Sequence, residues 1–181
     1  MKRKADKRWI ILVIVMSICI SIVFSLASER ALDGTGYVVA FAVLLLFILI
    51  GILFDIIGVA VTSASETPFH SMASHREKGA AEAIKLIRKA ERVSSVCNDV
   101  VGDISGIISG TTAAVIVAGI SQDFSLNTVF TQLIVTGLVS GATIGGKAVG
   151  KTVAMNSSTR IVLGAGKIIY FFTHLFSDKK K

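Results

Sequence analysis

Charge is scarce in this sequence, and so are the residues that build cross-links and metal clusters. Only 17% of its 181 residues are charged, while 52% are hydrophobic. That balance argues against an ordinary soluble domain and points to the membrane. There are two cysteines, and each lies within or beside a long apolar run. Cys19 and Cys97 therefore form no disulfide framework and report nothing about an oxidising compartment. The three histidines, His70, His75 and His174, show no metal-ligand spacing. No Ser–His–Asp or Cys–His arrangement supports a hydrolase, and an enzyme is not expected. No alternating apolar pattern competes for a β reading.

What is present is long apolar runs. Trp9 to Ala27 is the first, and Tyr37 to Ser65 the second, interrupted only by Asp55. Val100 to Gln122, interrupted by Asp103, is the third, and Phe124 to Gly146 the fourth. Each approaches or exceeds the roughly 20 residues that cross a bilayer core. The basic start "MKRKADKRW" resembles a signal peptide, with "FSLASER" a weak cleavage candidate. The apolar run after it is too long, so a retained helix is expected.

The net charge of +7 reflects orientation rather than nucleic-acid binding. Every Lys and Arg except Arg30 falls in the amino-terminal tail, in the loop from Glu66 to Val96, or after Gly146. By the positive-inside rule these three segments face the cytoplasm, which places both termini inside a multi-pass cell-membrane protein. Anionic lipid headgroups are the expected partner of the basic excess. The expected fold is all-α, with four transmembrane helices and cytoplasmic juxtamembrane helices. Residues 1–36 would hold the basic tail, first helix and outer loop; residues 37–155 a three-helix domain with the loop 66–96; residues 156–181 an interfacial helix and basic tail.

Within the loop, Thr67 followed by Pro68, the only proline, reads as an N-cap with proline opening the helix. Gly79 breaks the pattern. "AAEAIKLIRKAERV" then reads as one amphipathic helix on the membrane surface. In the third and fourth runs, Gly102, Gly106 and Gly110, and Gly137, Gly141 and Gly145, form two small-residue ladders. They suit close packing on each other or across a dimer interface. Gly145, Gly150, Lys151 and Thr152 formally match a phosphate-binding loop. A membrane helix leads into them where a strand is required, so nucleotide binding is not expected.

The intramembrane carboxylates are the strongest sign of chemistry, because ionisable groups at that depth are costly and face cavities or partners. Asp55 and Glu66 stand eleven residues apart, about three helical turns, so they are expected to share a face with Thr62 between them. Asp99 and Asp103 are one turn apart; Asp99 serves equally well as a helix cap. Around Glu66 the hydroxyls of Thr62, Ser63, Ser65 and Thr67 gather. Hydroxyls, amides, carboxylates and carbonyls are what a hard cation such as Mg²⁺ accepts.

"TSASETPFHSMASHREKGAAEAIKLIRKAERV", "CNDVVGDISG" and "SGATIGGKAVGKTVAMNSSTRIVLGAGKIIYFF" resemble, in that order, the membrane domain of the cyclin M/CorC magnesium transporter family. That family has a Ser-Gly-Ser-Glu-Thr cluster, a Gly-Asn pair opening the next helix, and a Gly-Glu-x-x-Pro-Lys turn. Here Ser63, Ser65, Glu66 and Thr67 match the first, Asn98 the second, and Lys147 the lysine of the third. The resemblance implies a homodimer that moves Mg²⁺, with Ser63 and Asn98 as ligands and Ser65 and Glu66 beside them. The turn departs from the family: Ala142 and Thr143 replace Gly-Glu, and Gly146 replaces the proline. Thr143 is the oxygen left at that corner, and Asp103 would restore the missing charge. The family's cytoplasmic regulatory domains are not expected within these 181 residues, and a separate regulatory protein is one candidate partner. The alternative is a non-transporting scaffold or accessory subunit that kept the fold and lost the ion site.

Overall fold

The computed structural model describes residues 7–177. The ends of the two basic tails, residues 1–6 and 178–181, lie outside the described residues. All regular structure among those described is helical. In chain order come α1 (Lys7–Leu32), α2 (Tyr37–Ser63), α3 (Thr67–Ser74), α4 (Ala80–Arg88) and α5 (Ala90–Ser94). A π-helical segment, Ser95–Gly102, leads into α6 (Asp103–Asp123), followed by α7 (Thr128–Asn156) and α8 (Ser158–Ser177).

Four helices are long and apolar enough to cross a membrane: Lys7–Leu32, Tyr37–Ser63, Ala90–Asp123 and Thr128–Asn156. They correspond to the four apolar runs, but the third begins earlier than its hydropathy indicates. The span takes in α5 and the π segment, so Asp99 lies inside a continuous helix and caps nothing. α8 is not among the four. Gly145–Thr152 lies within α7, where interior N–H groups bond along the helix rather than converging on a phosphate.

The chain divides into two compact units. The first comprises the chain through Ile52 together with Asn98–Gly146. In it α1 packs against α6. Val13, Ile20 and Phe24 meet a buried cluster of Phe47, Val100, Ile104 and Ile108, and the Phe24 and Phe47 rings lie 5.6 Å apart. Ile104 and Ile108 are one turn apart, as are Ile20 and Phe24, so each helix offers one ridge of side chains. One turn on, the buried hydroxyls of Ser28 and Thr112 bond at 3.2 Å. A second cluster joins Ala40, Leu44 and Ile48 of α2 to Ala113 and Ile116 of α6. Ile10, Ile14, Ile18 and Ile22 of α1 are exposed, as expected of a surface whose solvent is lipid.

Local chemistry fixes the ends of these helices. The Thr35 hydroxyl donates to the carbonyls of Ala31 and Leu32, closing α1. Asn127 caps α7 by accepting the Phe130 N–H at 3.2 Å. At the start of α2 the Tyr37 hydroxyl donates to the Asp123 carboxylate. Gly119 makes room for it, since a Cβ there would stand 3.1 Å from the Tyr37 oxygen. Tyr37→Phe should therefore accelerate amide hydrogen exchange across residues 119–124. Unchanged exchange in that segment would show that the bond does not hold the two helix ends.

The second unit comprises Leu53–Cys97 and Lys147 onward. Phe69 is fully buried among Ala60, Val61, Ala83, Ala154 and Val162. The segment expected to form one helix on the membrane surface breaks at Lys89. Its face bearing Ala80 and Ala83 is buried in the protein, with α4 packed against α8 and α3. Gly79 has φ +86, a left-handed conformation that glycine adopts without steric penalty. It also lets α8 approach. A Cβ at Gly79 would come within 2.5 Å of the Lys167 nitrogen. Lys167 itself, out of place in an apolar run, bonds Glu77 at 3.1 Å. On its free side α8 exposes Ile168, Phe171, Phe172 and Leu175.

Candidate functional site

α2 ends at Ser63, and Ala64 and Ser65 leave the helix before α3 begins at Thr67. Two expectations change as a result. The face shared by Asp55 and Glu66 does not exist, because the helix stops between them. Thr67 is the first residue of α3 rather than its cap; Glu66 occupies the cap position without a side-chain capping bond, and Pro68 still sits in the first turn. The hydroxyls of the break bond locally. Ser65 Oγ accepts the Thr67 N–H and donates to Thr67 Oγ1, each at 3.4 Å. Ser63 is exposed at the helix end, where its oxygen is accessible.

Glu66 has partners. Its Oε2 lies 3.3 Å from Arg88 Nε and 3.2 Å from His70 Nε2. Both partners are more than half exposed, so each contact contributes at most about 1 kcal/mol. What matters is occupancy, since a carboxylate shared by a guanidinium and an imidazole has less charge to offer a cation. Asp55 is the opposite case. It is 5% exposed, and its Oδ2 is buried without a hydrogen-bond partner among the described residues.

In the other unit, Asn98 lies in the π-helical segment, partly buried, with Oδ1 itself fully buried. A π-helix widens the backbone and shifts its bonds from i+4 to i+5, and such segments concentrate at functional sites. Asp103, the first residue of α6, is exposed. Thr143, on α7, donates its hydroxyl to the Val139 carbonyl at 2.8 Å, which leaves its oxygen lone pairs available. It borders a cavity of about 200 Å³ between α6 and α7, together with Ser109, Thr136 and Ser140. Gly106 and Gly110 of the first ladder line this cavity, and the glycines of the second ladder do not. A Cβ at Gly106, Gly110, Gly137, Gly141 or Gly145 would meet nothing within 4 Å. At Gly146, where the resembled family has proline, α7 continues as helix and a Cβ would overlap the tip of Ile52.

Ser63, Ser65 and Glu66 thus belong to one unit, and Asn98, Asp103 and Thr143 to the other. Two features escaped the sequence. The π segment has no residue signature in "SVCNDVVG". Ser105, one residue before Gly106 of the first ladder, is 1% exposed, and its hydroxyl has no hydrogen-bond partner among the described residues.

An all-helical chain with four membrane-length apolar helices defines a multi-pass membrane protein. No family model matches the chain, and no curated protein or solved structure does either.

Proposed function

We propose that this protein binds and moves divalent cations, Mg²⁺ first, through an oxygen-lined intramembrane site with alternating access. The observation that carries the reading is the π-helical segment of the third span, with Asn98 inside it and its amide oxygen buried. An amide oxygen and serine hydroxyls are hard, uncharged ligands of the kind Mg²⁺ takes when it keeps part of its water shell. Irregular backbone at membrane depth is tolerated where it lines a cavity or an ion site. Ser63 and Asn98 are the first ligands proposed, with Ser65, Glu66, Asp103 and Thr143 as further candidates. The resemblance to the cyclin M/CorC membrane domain supports this assignment. It also supports a homodimer in the cell membrane, both termini cytoplasmic, with anionic headgroups against the basic loop and a separate regulatory chain.

One observation favours the second reading, a scaffold or accessory subunit without an ion. Glu66 is held by Arg88 and His70, as in a purely structural ion pair. Calorimetric titration of the purified protein with Mg²⁺ separates the two. Saturable binding that a Ser63→Ala, Asn98→Ala double variant loses is the expected result. No saturable binding by the wild type would leave the scaffold.

A further inference from the structure

We infer that Ser105 is a cation-contacting residue of the third span, acting with the Gly102 carbonyl oxygen. The inference rests on the proposed transport function and adds to it a ligand at a definite place.

Many helical serines and threonines in this chain bond back to their own helix, while Ser28 and Thr112 bond each other and the buried Ser121 hydroxyl has no partner among the described residues. Ser17 donates to the Val13 carbonyl at 2.8 Å, Ser109 to Gly106 at 2.9 Å and Thr111 to Ile108 at 2.9 Å. That is the ordinary fate of a hydroxyl in an apolar span. Ser105 departs from it. The carbonyls it would reach belong to Val101 and Gly102, the last two residues of the π-helical segment, and its Oγ bonds to neither. A buried hydroxyl without a partner is costly in protein and more so at membrane depth.

The side chain is directed toward α2, at a point where α2 carries glycine. A Cβ at Gly51 would stand 3.3 Å from Ser105 Cβ and 3.5 Å from the Gly102 oxygen. The Ser105 side chain and the Gly102 carbonyl therefore converge on one small space cleared by Gly51. If close packing were the only requirement, alanine would serve and would leave no unbonded oxygen. A hydroxyl and a carbonyl side by side, uncharged and shielded from water, are instead acceptors for a partly hydrated cation. They lie on the same helix as Asn98, a few residues further along it.

The test is Mg²⁺ calorimetry on the purified full chain, with wild type and Ser105→Ala in parallel, and the melting temperature of each without Mg²⁺. The expected result is an affinity lower by about tenfold or more, with a metal-free melting temperature equal to or above wild type. Gly51→Ala, which crowds the same space but keeps the hydroxyl, should also weaken binding. If wild type binds and Ser105→Ala binds equally well, this inference falls while the transport reading stands. If Ser105→Ala loses affinity only in step with a lower metal-free melting temperature, the residue packs the helix and the inference falls again. If wild type shows no saturable binding, the transport reading fails first and takes Ser105 with it.

Discussion

Replacing Gly166 with alanine should lower the melting temperature of this protein by several degrees. Gly166 lies on α8 where that helix crosses the turn between α3 and α4. An added Cβ would overlap the Gly79 carbonyl oxygen and stand 3.1 Å from the Ala83 nitrogen. Both neighbours are backbone, and they are held by the buried Ala80 and Ala83 of α4. No flexible side chain can turn aside, so the helices must separate. Separation would open a cluster in which Phe69, Ala83 and Val162 are all fully buried. Overpacking of this kind costs about 1–3 kcal/mol when side chains absorb it, and more when backbone must move. A loss of about 3 kcal/mol corresponds to roughly 6–12 °C for a chain of this size. Gly79→Ala should match or exceed it, because it adds a left-handed backbone at φ +86 to the same collision. By contrast Lys167→Met should barely register, since the Glu77 pair it removes is exposed on both sides. A Gly166→Ala protein melting within a degree or so of wild type would mean that α8 does not hold this position in solution.

The same glycine pair shows how far the sequence could be read. Gly79 was recognisable as a break because a glycine between two helical patterns punctuates the chain. Its second role, admitting the backbone of α8, needs Gly166, 87 residues away, and no local pattern encodes that. The four spans were legible because composition alone decides whether about 20 residues prefer lipid. Their ends were less so. "TSASET" carries hydroxyls but neither glycine nor proline at the stop itself, and helical spacing therefore ran on from Asp55 to Glu66 where the structure stops at Ser63. The π segment was invisible for a deeper reason. It differs from an α-helix by one residue in hydrogen-bond register, and the residues around Asn98 favour neither. The pairing of Glu66 with Arg88, 22 residues on, is likewise set by how α3 and α4 fold back. The candidate ligands by residue type were thus readable, while the engagement of Glu66 and the role of Ser105 were tertiary facts.

Asp55→Asn should raise stability and at the same time weaken Mg²⁺ binding, and the opposite signs make the prediction sharp. Asp55 lies well inside a 27-residue apolar helix, is 5% exposed, and has one carboxylate oxygen buried without a hydrogen bond among the described residues. An acidic group in that position carries a desolvation penalty whatever its protonation state, because either the charge or an unsatisfied acceptor is held away from water. The amide has nearly the same shape and carries no charge. The amide removes the charge and leaves a buried polar group, so it should stabilise the metal-free protein by about 1 kcal/mol, or roughly 2–4 °C. A costly ionisable group inside a span marks a functional position, where the energy is recovered when an ion arrives. Mg²⁺ should therefore raise the melting temperature of wild type, as any ligand that binds only the folded state does, and raise that of Asp55→Asn less. Melting curves of both proteins with and without Mg²⁺ supply all four numbers in one experiment. Destabilisation of Asp55→Asn without Mg²⁺ would mean that the carboxylate is held by a partner and serves the fold. Stabilisation with an undiminished Mg²⁺ response would separate Asp55 from the ion and leave binding to Ser63, Asn98 and the hydroxyls beside them.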